Sequence, residues 1–195
     1  MLFQWNSDKY IKFVEQTRNP ILRDFMNTEL NVIDKIRNTK EKTFIDVGAG
    51  YGRVTAHLSK IGKKVIAVEM DKDLLPELKQ RAKQYINVSV VEGDAKNLSN
   101  LLRNFNIEKP VLVCLQNTLG TPVGSPFKIL SEMVKIAKDY KGELIISLFT
   151  QEGLRDYGIP MYSEISQLTG EPDLEKTDLG KGFFSAKPVI EVIGG

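Results

Sequence analysis

The sequence predicts an α/β domain, a three-layer sandwich built on a mostly parallel sheet, and three observations predict it. Five short runs, Phe44–Val47, Val65–Val68, Val88–Val91, Val111–Leu115 and Leu144–Phe149, are almost continuously apolar and do not alternate. Strands covered on both faces have that texture. Amphipathic segments separate the runs, so strand and helix alternate as they do in right-handed βαβ units. The first run also passes through a glycine-rich turn directly into a helical pattern.

Two helices precede the first run. Tyr10, Phe13, Val14 and Thr17 share one helical face. Asn19 reads as an N-cap with Pro20 at the first helical position, and Leu22, Phe25, Met26, Ile33 and Ile36 follow at helical spacing. Between the strands, Val54, Leu58 and Ile61 lead to Gly62, and Leu74, Leu78, Ala82 and Tyr85 follow Asp73. Ile129, Leu130, Met133, Val134 and Ala137 follow a Ser125–Pro126 start. Beyond the fifth run, helical pieces are expected near Gln151–Tyr157 and Tyr162–Leu168, a loop over Glu171–Gly182, and short strands at Phe183–Ser185 and Val189–Ile193. The whole chain, 1–195, reads as one domain: a helical lid (1–40), a ligand-binding core (41–150) and a substrate-side segment (151–195).

At 195 residues with 42% hydrophobic content, one domain can bury a proper core. The formal net charge is only +2 and no block of five like charges occurs, so the balance demands neither nucleic acid nor an anionic membrane. Lys60, Lys63 and Lys64 form only a small cluster, read as a solvated helix end. A single cysteine excludes an intramolecular disulfide and suits a reducing, cytoplasmic setting. No apolar run approaches the length of a membrane span, and the N-terminus lacks the pattern of a signal peptide. One His and one Cys cannot build a normal zinc site. His57 and Cys114 are read as structural.

Chemistry concentrates in Phe44-Ile45-Asp46-Val47-Gly48-Ala49-Gly50-Tyr51-Gly52-Arg53. Glycines allow a sharp turn and close ligand approach, and the following helix start offers free N–H groups and a positive dipole end. A dinucleotide fingerprint would need glycine at position 53, where Arg53 stands, and a pyrophosphate would not welcome Asp46. A cofactor with an ammonium group and one carboxylate fits better. Glu69, 19 positions after Gly50, ends the next strand and can accept ribose hydroxyls. Asp94, after the third strand, can accept from an adenine amino group. The three acids line the carboxyl edge of the sheet, where ligands of open α/β sheets bind.

With these residues in place, the chain resembles the class I S-adenosylmethionine-dependent methyltransferases. The matching stretches are FIDVGAGYGRVTAHLSKIG, VIAVEMD, VVEGDAKNL and VLVCLQNTLG, within residues 43–150. The resemblance implies a Rossmann-like seven-stranded sheet and S-adenosylmethionine as cofactor. It implies a cofactor pocket lined by Asp46, Gly48, Ala49, Gly50, Glu69, Met70, Asp94, Ala95 and Gln116. On the substrate side it points to Gln116, Asn117, Tyr51 and Tyr157, with Trp5, Tyr10 and Phe13 as lid residues, Phe13 being read first as packing against the sheet. The N/D-P-P-Y/F signature of amino methylation of adenine, cytosine or glutamine is absent after the fourth strand. Gln116-Asn117-Thr118 looks instead like branches that act on small molecules, so a small-molecule acceptor, with an amine nitrogen favoured, is expected and nucleic acid is not. RNA or protein methylation, or a non-catalytic cofactor-binding scaffold, are the alternatives. The tail departs from the family. Only Ala186–Pro188 separate the two final strands, which implies an abbreviated hairpin and an open sheet edge that a homodimer would cover.

Overall fold

A computed structural model describes residues 7–116, 118–120, 126–164 and 173–175. The two expected N-terminal helices form, α1 over Ser7–Glu15 and α2 over Pro20–Ile33. Asn19 caps α2 as its residue type predicts: its side chain accepts from the backbone N–H of Ile21 and Leu22. The alternation that follows is β1 (Thr43–Val47), α3 (Arg53–Ile61), β2 (Lys64–Glu69), α4 (Leu75–Ala82) and β3 (Val88–Glu92). It continues with α5 (Leu98–Leu101), β4 (Val111–Cys114), α6 (Pro126–Asp139) and β5 (Glu143–Ile146). All five expected strands are present, with ends moved by three residues or fewer. After β5, residues 151–164 are helical throughout: α7 (Gln151–Gly153), a wider π turn over Leu154–Gly158, and α8 (Ile159–Glu164). The strands expected at Phe183–Ser185 and Val189–Ile193, and with them the abbreviated hairpin, lie outside the described residues, as do Trp5 and Asn117.

The five strands form one parallel sheet in the order β3-β2-β1-β4-β5. Every residue of β1 and β4 is buried, which is why these runs are apolar throughout. Alternate side chains feed two cores. Ile45, Val47, Ile66, Val68, Leu112 and Cys114 pack with Leu98 of α5 and with Met133 and Ile136 of α6. Phe44, Val65, Val111 and Val113 pack with Val54 and Leu58 of α3 and Ile33 of α2. A third cluster joins α1 and α2 to the glycine turn through Val14, Leu22, Met26 and Tyr51. The N-terminal helices therefore sit over the carboxyl edge of the sheet. The order reverses direction at β1, so β1 and β4 leave the sheet toward opposite sides and open a crevice between their ends. Ligands of such open α/β sheets bind there.

Candidate active site

A cavity of about 460 Å³ occupies that crevice, within the usual size range of small-ligand sites. It is lined by all nine residues expected to hold the cofactor: Asp46, Gly48, Ala49, Gly50, Glu69, Met70, Asp94, Ala95 and Gln116. Tyr51, Tyr10 and Phe13 line it too. The sheet register explains the convergence. Pairing of Val47 with Val68 and of Glu69 with Glu92 brings the ends of β1, β2 and β3 level.

The glycine turn is shaped by backbone that side chains rarely adopt. Gly48, Gly50 and Gly52 have φ of +74°, +57° and +94°. A Cβ on Gly48 would come within 2.5 Å of Thr118 Cγ2, whereas one on Gly50 would meet nothing within 4 Å. Gly50 therefore leaves an open cradle beside the start of α3, where a ligand can approach the backbone.

Glu69 ties this turn to β2. Its Oε2 accepts from Gly50 N at 2.6 Å, and its Oε1 accepts from Met70 N and Asp71 N, each at 2.8 Å. Three of the roughly four acceptor sites of this carboxylate thus serve the backbone, so a pair of ribose hydroxyls would be met by sharing or displacing these bonds. Asp46 is buried at 3% exposure, and its Oδ2 accepts from Thr55 Oγ1 at 2.6 Å. Burial pushes its carboxyl up to about 6, assisted by Glu69 and opposed by the Thr55 hydroxyl and Arg53. A buried acid raised in this way gains from a ligand cation beside it. Asp94 accepts from Lys96 N at 2.9 Å and pairs with Lys96 Nζ at 2.9 Å. Partial burial opposes its ionisation, but the Lys96 bonds prevail and hold its carboxyl below the ordinary value.

The fourth strand tip carries strain. Gln116 has φ +52°, and its backbone N–H donates to Glu29 Oε1 at 2.6 Å. Glu29 is the residue that sequence reasoning missed. It is 5% exposed, and its Oε2 also takes Arg53 Nη2 at 2.8 Å while Oε1 accepts the Ser147 hydroxyl. One carboxylate on α2 therefore holds the start of α3 and the ends of β4 and β5. Its signal was in the sequence: Leu22, Met26, Glu29 and Ile33 occupy one helical face, and an acid on an apolar face needs buried partners.

Part of the cavity wall is aromatic. Phe25 stacks on Phe149 with centroids 5.2 Å apart, and both line the cavity with Leu115 and Met161. Tyr51 is 2% exposed, with the Tyr10 ring edge-on at 6.1 Å and the Arg81 guanidinium 4.8 Å from its centroid. Burial raises the hydroxyls of both tyrosines, that of Tyr10 to about 12. The Tyr51 hydroxyl and Arg53 Nε are buried without a hydrogen-bond partner among the described residues. Phe13 packs in the cluster around Tyr51 and lines the cavity, and it is not among the residues packed against the sheet faces. Tyr157 is corrected: it is 49% exposed and does not line the cavity. Leu154, Gly158 and Met161 form the inner face of the tail helix, and Tyr157 falls off that face.

The residues read as structural remain outside the cavity lining. His57 pairs with Asp34 at 2.7 Å, and Cys114 is fully buried, with burial raising its thiol to about 12. The small lysine cluster lies toward the other end of the strands. Lys64 opens β2, and Lys63 pairs with Glu108 at 2.7 Å. Among the described residues no helix is long and apolar enough to cross a membrane.

Comparison with known proteins places the chain in a family. The model of ribosomal RNA adenine dimethylases matches residues 23–123. A ribosomal RNA small subunit methyltransferase A of Koribacter versatilis is 28% identical over 175 residues, covering 83% of this chain and 60% of the relative. Its counterpart in Clostridium botulinum strain Okra is 34% identical over 141 residues, covering 71% of this chain and 48% of the relative. The chain thus spans about half to three-fifths of the length of these relatives. In fold, the crystal structure of an S-adenosylmethionine-dependent methyltransferase from Clostridium acetobutylicum superposes with a TM-score of 0.55 at 19% identity, covering 83% of this chain and 61% of that one. These matches overturn the expectation of a small-molecule acceptor and of no nucleic-acid partner, because the family and both relatives are named for ribosomal RNA. The expectation failed for a physical reason: net charge sums over the whole surface and says nothing about local recognition, and two side chains at one strand tip are a narrow basis for an acceptor class.

Proposed function

The chain belongs to the ribosomal RNA adenine dimethylase family, and on that premise we propose that it is an S-adenosylmethionine-dependent methyltransferase whose acceptor is RNA. The observation that carries this reading is the convergence of Asp46, Glu69 and Asp94, from three successive strand ends, on one cavity beside a glycine turn. The cofactor supplies an activated methyl on a sulfonium. The residues of the chain bind and align. Gly48 to Gly50 would admit the methionine end to the backbone, Asp46 would offer a carboxylate to its ammonium, Glu69 would serve the ribose, and Met70, Asp94 and Ala95 would bound the adenine.

The acceptor is assigned the side of Gln116, where Phe25, Phe149 and Tyr10 exclude water and offer flat apolar surface to a nucleobase. Such alignment of two reactants can contribute roughly 7–11 kcal/mol at its upper end. Gln116 offers hydrogen bonds but no strong base. No proton transfer is assigned to it.

The test is transfer of labelled methyl from S-adenosylmethionine to unmodified small-subunit ribosomal RNA, with DNA of the same sequence beside it. Label is expected in RNA only, and it should be lost in Asp94→Ala with Glu69→Ala. A protein that binds S-adenosylmethionine yet labels no RNA would overturn the acceptor assignment.

A further inference from the structure

We infer that the amino edge of the sheet, opposite the cavity, holds the phosphate backbone of the RNA. The inference rests on the RNA reading above and says where the substrate is gripped away from the reacting base. All five strands are parallel, so the connections that enter them lie at one edge and those that leave them at the other. The entering connections, 34–42, 62–63, 83–87, 102–110 and 140–142, carry nine Lys and Arg against three Asp and Glu. The leaving connections, 48–52, 70–74, 93–97, 147–150 and the described residues of 115–125, carry two against three. A formal net charge of only +2 therefore conceals a polarised molecule.

The positive edge has room for a phosphate chain. An open groove of about 560 Å³ lies there, and Lys35, Arg37, Lys42 and Lys109 line it together with Ile36 and Ile145. Its two acids are already neutralised, Glu143 by Lys42 and Glu41 by Lys109. Lys35 and Arg37 are exposed and make no ion pair among the described residues. Lys141, two positions before Glu143, is exposed and unpaired in the same way. The small lysine cluster extends this surface: Lys63 pairs with Glu108, and Lys64 Nζ stands 5.1 Å from the centroid of the Phe105 ring. Surplus exposed cations gain by neutralising phosphates, because the nucleic acid then releases its condensed counterions. Such contacts position a nucleic acid and carry no sequence information. The five residues of β1 separate the two edges by about 17 Å. The nucleotides held at the amino edge are therefore not the one that enters the cavity, and the substrate is a folded RNA that reaches both.

The experiment follows the anisotropy of a fluorescein-labelled hairpin of small-subunit ribosomal RNA across a salt series, with the wild type and with Lys35→Gln, Arg37→Gln and Lys141→Gln combined. These side chains make no ion pair in the fold and stand outside the cavity lining, so the thermal melt and S-adenosylmethionine binding should stay unchanged. Affinity for the hairpin is expected to fall roughly 100-fold at about 0.1 M salt, and the slope of log K against log salt to flatten by about 2–3, since each lost phosphate contact removes about 0.7–0.9 of slope. A matched triple, Lys12→Gln, Arg18→Gln and Arg23→Gln, removes the same charge from α1, α2 and the turn between them and should keep most of the affinity. In methyl transfer, the amino-edge triple should raise the KM for RNA and leave kcat unaltered. Equal losses in the two triples, or an unchanged slope in the first, overturn the inference. So does a wild type that binds phosphatidylglycerol vesicles but not the hairpin. Hairpin binding lost as expected, with no methyl reaching RNA in the wild type, supports this surface and overturns only the acceptor assignment.

Discussion

Replacing Glu29 by leucine should be among the most destabilising single changes at the crevice, for a reason that can be worked through bond by bond. The carboxylate is 5% exposed and accepts from Arg53 Nη2, Gln116 N and the Ser147 hydroxyl. Leucine leaves the guanidinium unpaired in a site where its side chain is only 17% exposed. Removing one partner of a buried ion pair costs about 3–5 kcal/mol. The freed Gln116 N–H lies on backbone already held at φ +52°, so the strand tip loses the bond that holds it in that conformation. For a domain of this size each kcal/mol shifts the melting temperature by about 2–4 °C, giving a fall of roughly 6–20 °C. Calorimetric melts at pH 7 would read it. Arg53→Leu combined with Glu29→Leu should recover much of the loss, because the orphaned charge goes with its partner. A fall under about 2 °C for Glu29→Leu, or a double variant whose loss equals the sum of the singles, would refute the view that one carboxylate ties α2, α3, β4 and β5 together.

Two further outcomes follow from the glycine turn and from Asp46. Gly48→Ala should cost stability and cofactor binding together, since its Cβ would lie 2.5 Å from Thr118 Cγ2. Gly50→Ala should cost only about 1–2 kcal/mol of strain, with open space around the new methyl, yet weaken cofactor binding. Melts set beside calorimetric titrations would separate the two, and equal effects of both changes would contradict the assignment of Gly50 to the ligand cradle. Asp46 has its carboxyl raised from 3.8 to about 6, mainly by burial. The folded protein therefore holds a proton that the unfolded chain releases. The resulting stability is fully present below pH 3.8 and is lost as pH rises through about 6. A cationic ligand favours the ionised form, so affinity for S-adenosylmethionine should rise by up to about tenfold per pH unit below 6 and level off above it. Titrations between pH 5 and 7 should show this slope in the wild type and not in Asp46→Asn.

The sequence by itself determined the architecture around the cavity. Runs such as Phe44–Val47 and Val111–Leu115 are apolar without alternation because both sheet faces are covered, and that pattern alone located the five described strands. Gly48, Gly50 and Gly52 at a strand–helix corner marked the turn, since positive φ there excludes most other residues. Strand-end acids follow from the same periodicity, so Asp46, Glu69 and Asp94 could be placed at one edge before any packing was known. What only the tertiary structure decided depends on contacts far apart in the chain. Glu29 meets Gln116 across 87 residues and Ser147 across 118, and no local pattern encodes that meeting. Phe25 and Phe149 become one wall of the cavity only because α2 and the segment after β5 fold over the same crevice. Tyr157 was misplaced because one residue of helical phase turns a cavity-facing position into an exposed one. The acceptor class was misread for a related reason. Substrate choice depends on surfaces assembled from separate elements, whereas net charge and a single strand-tip motif report on composition and one corner.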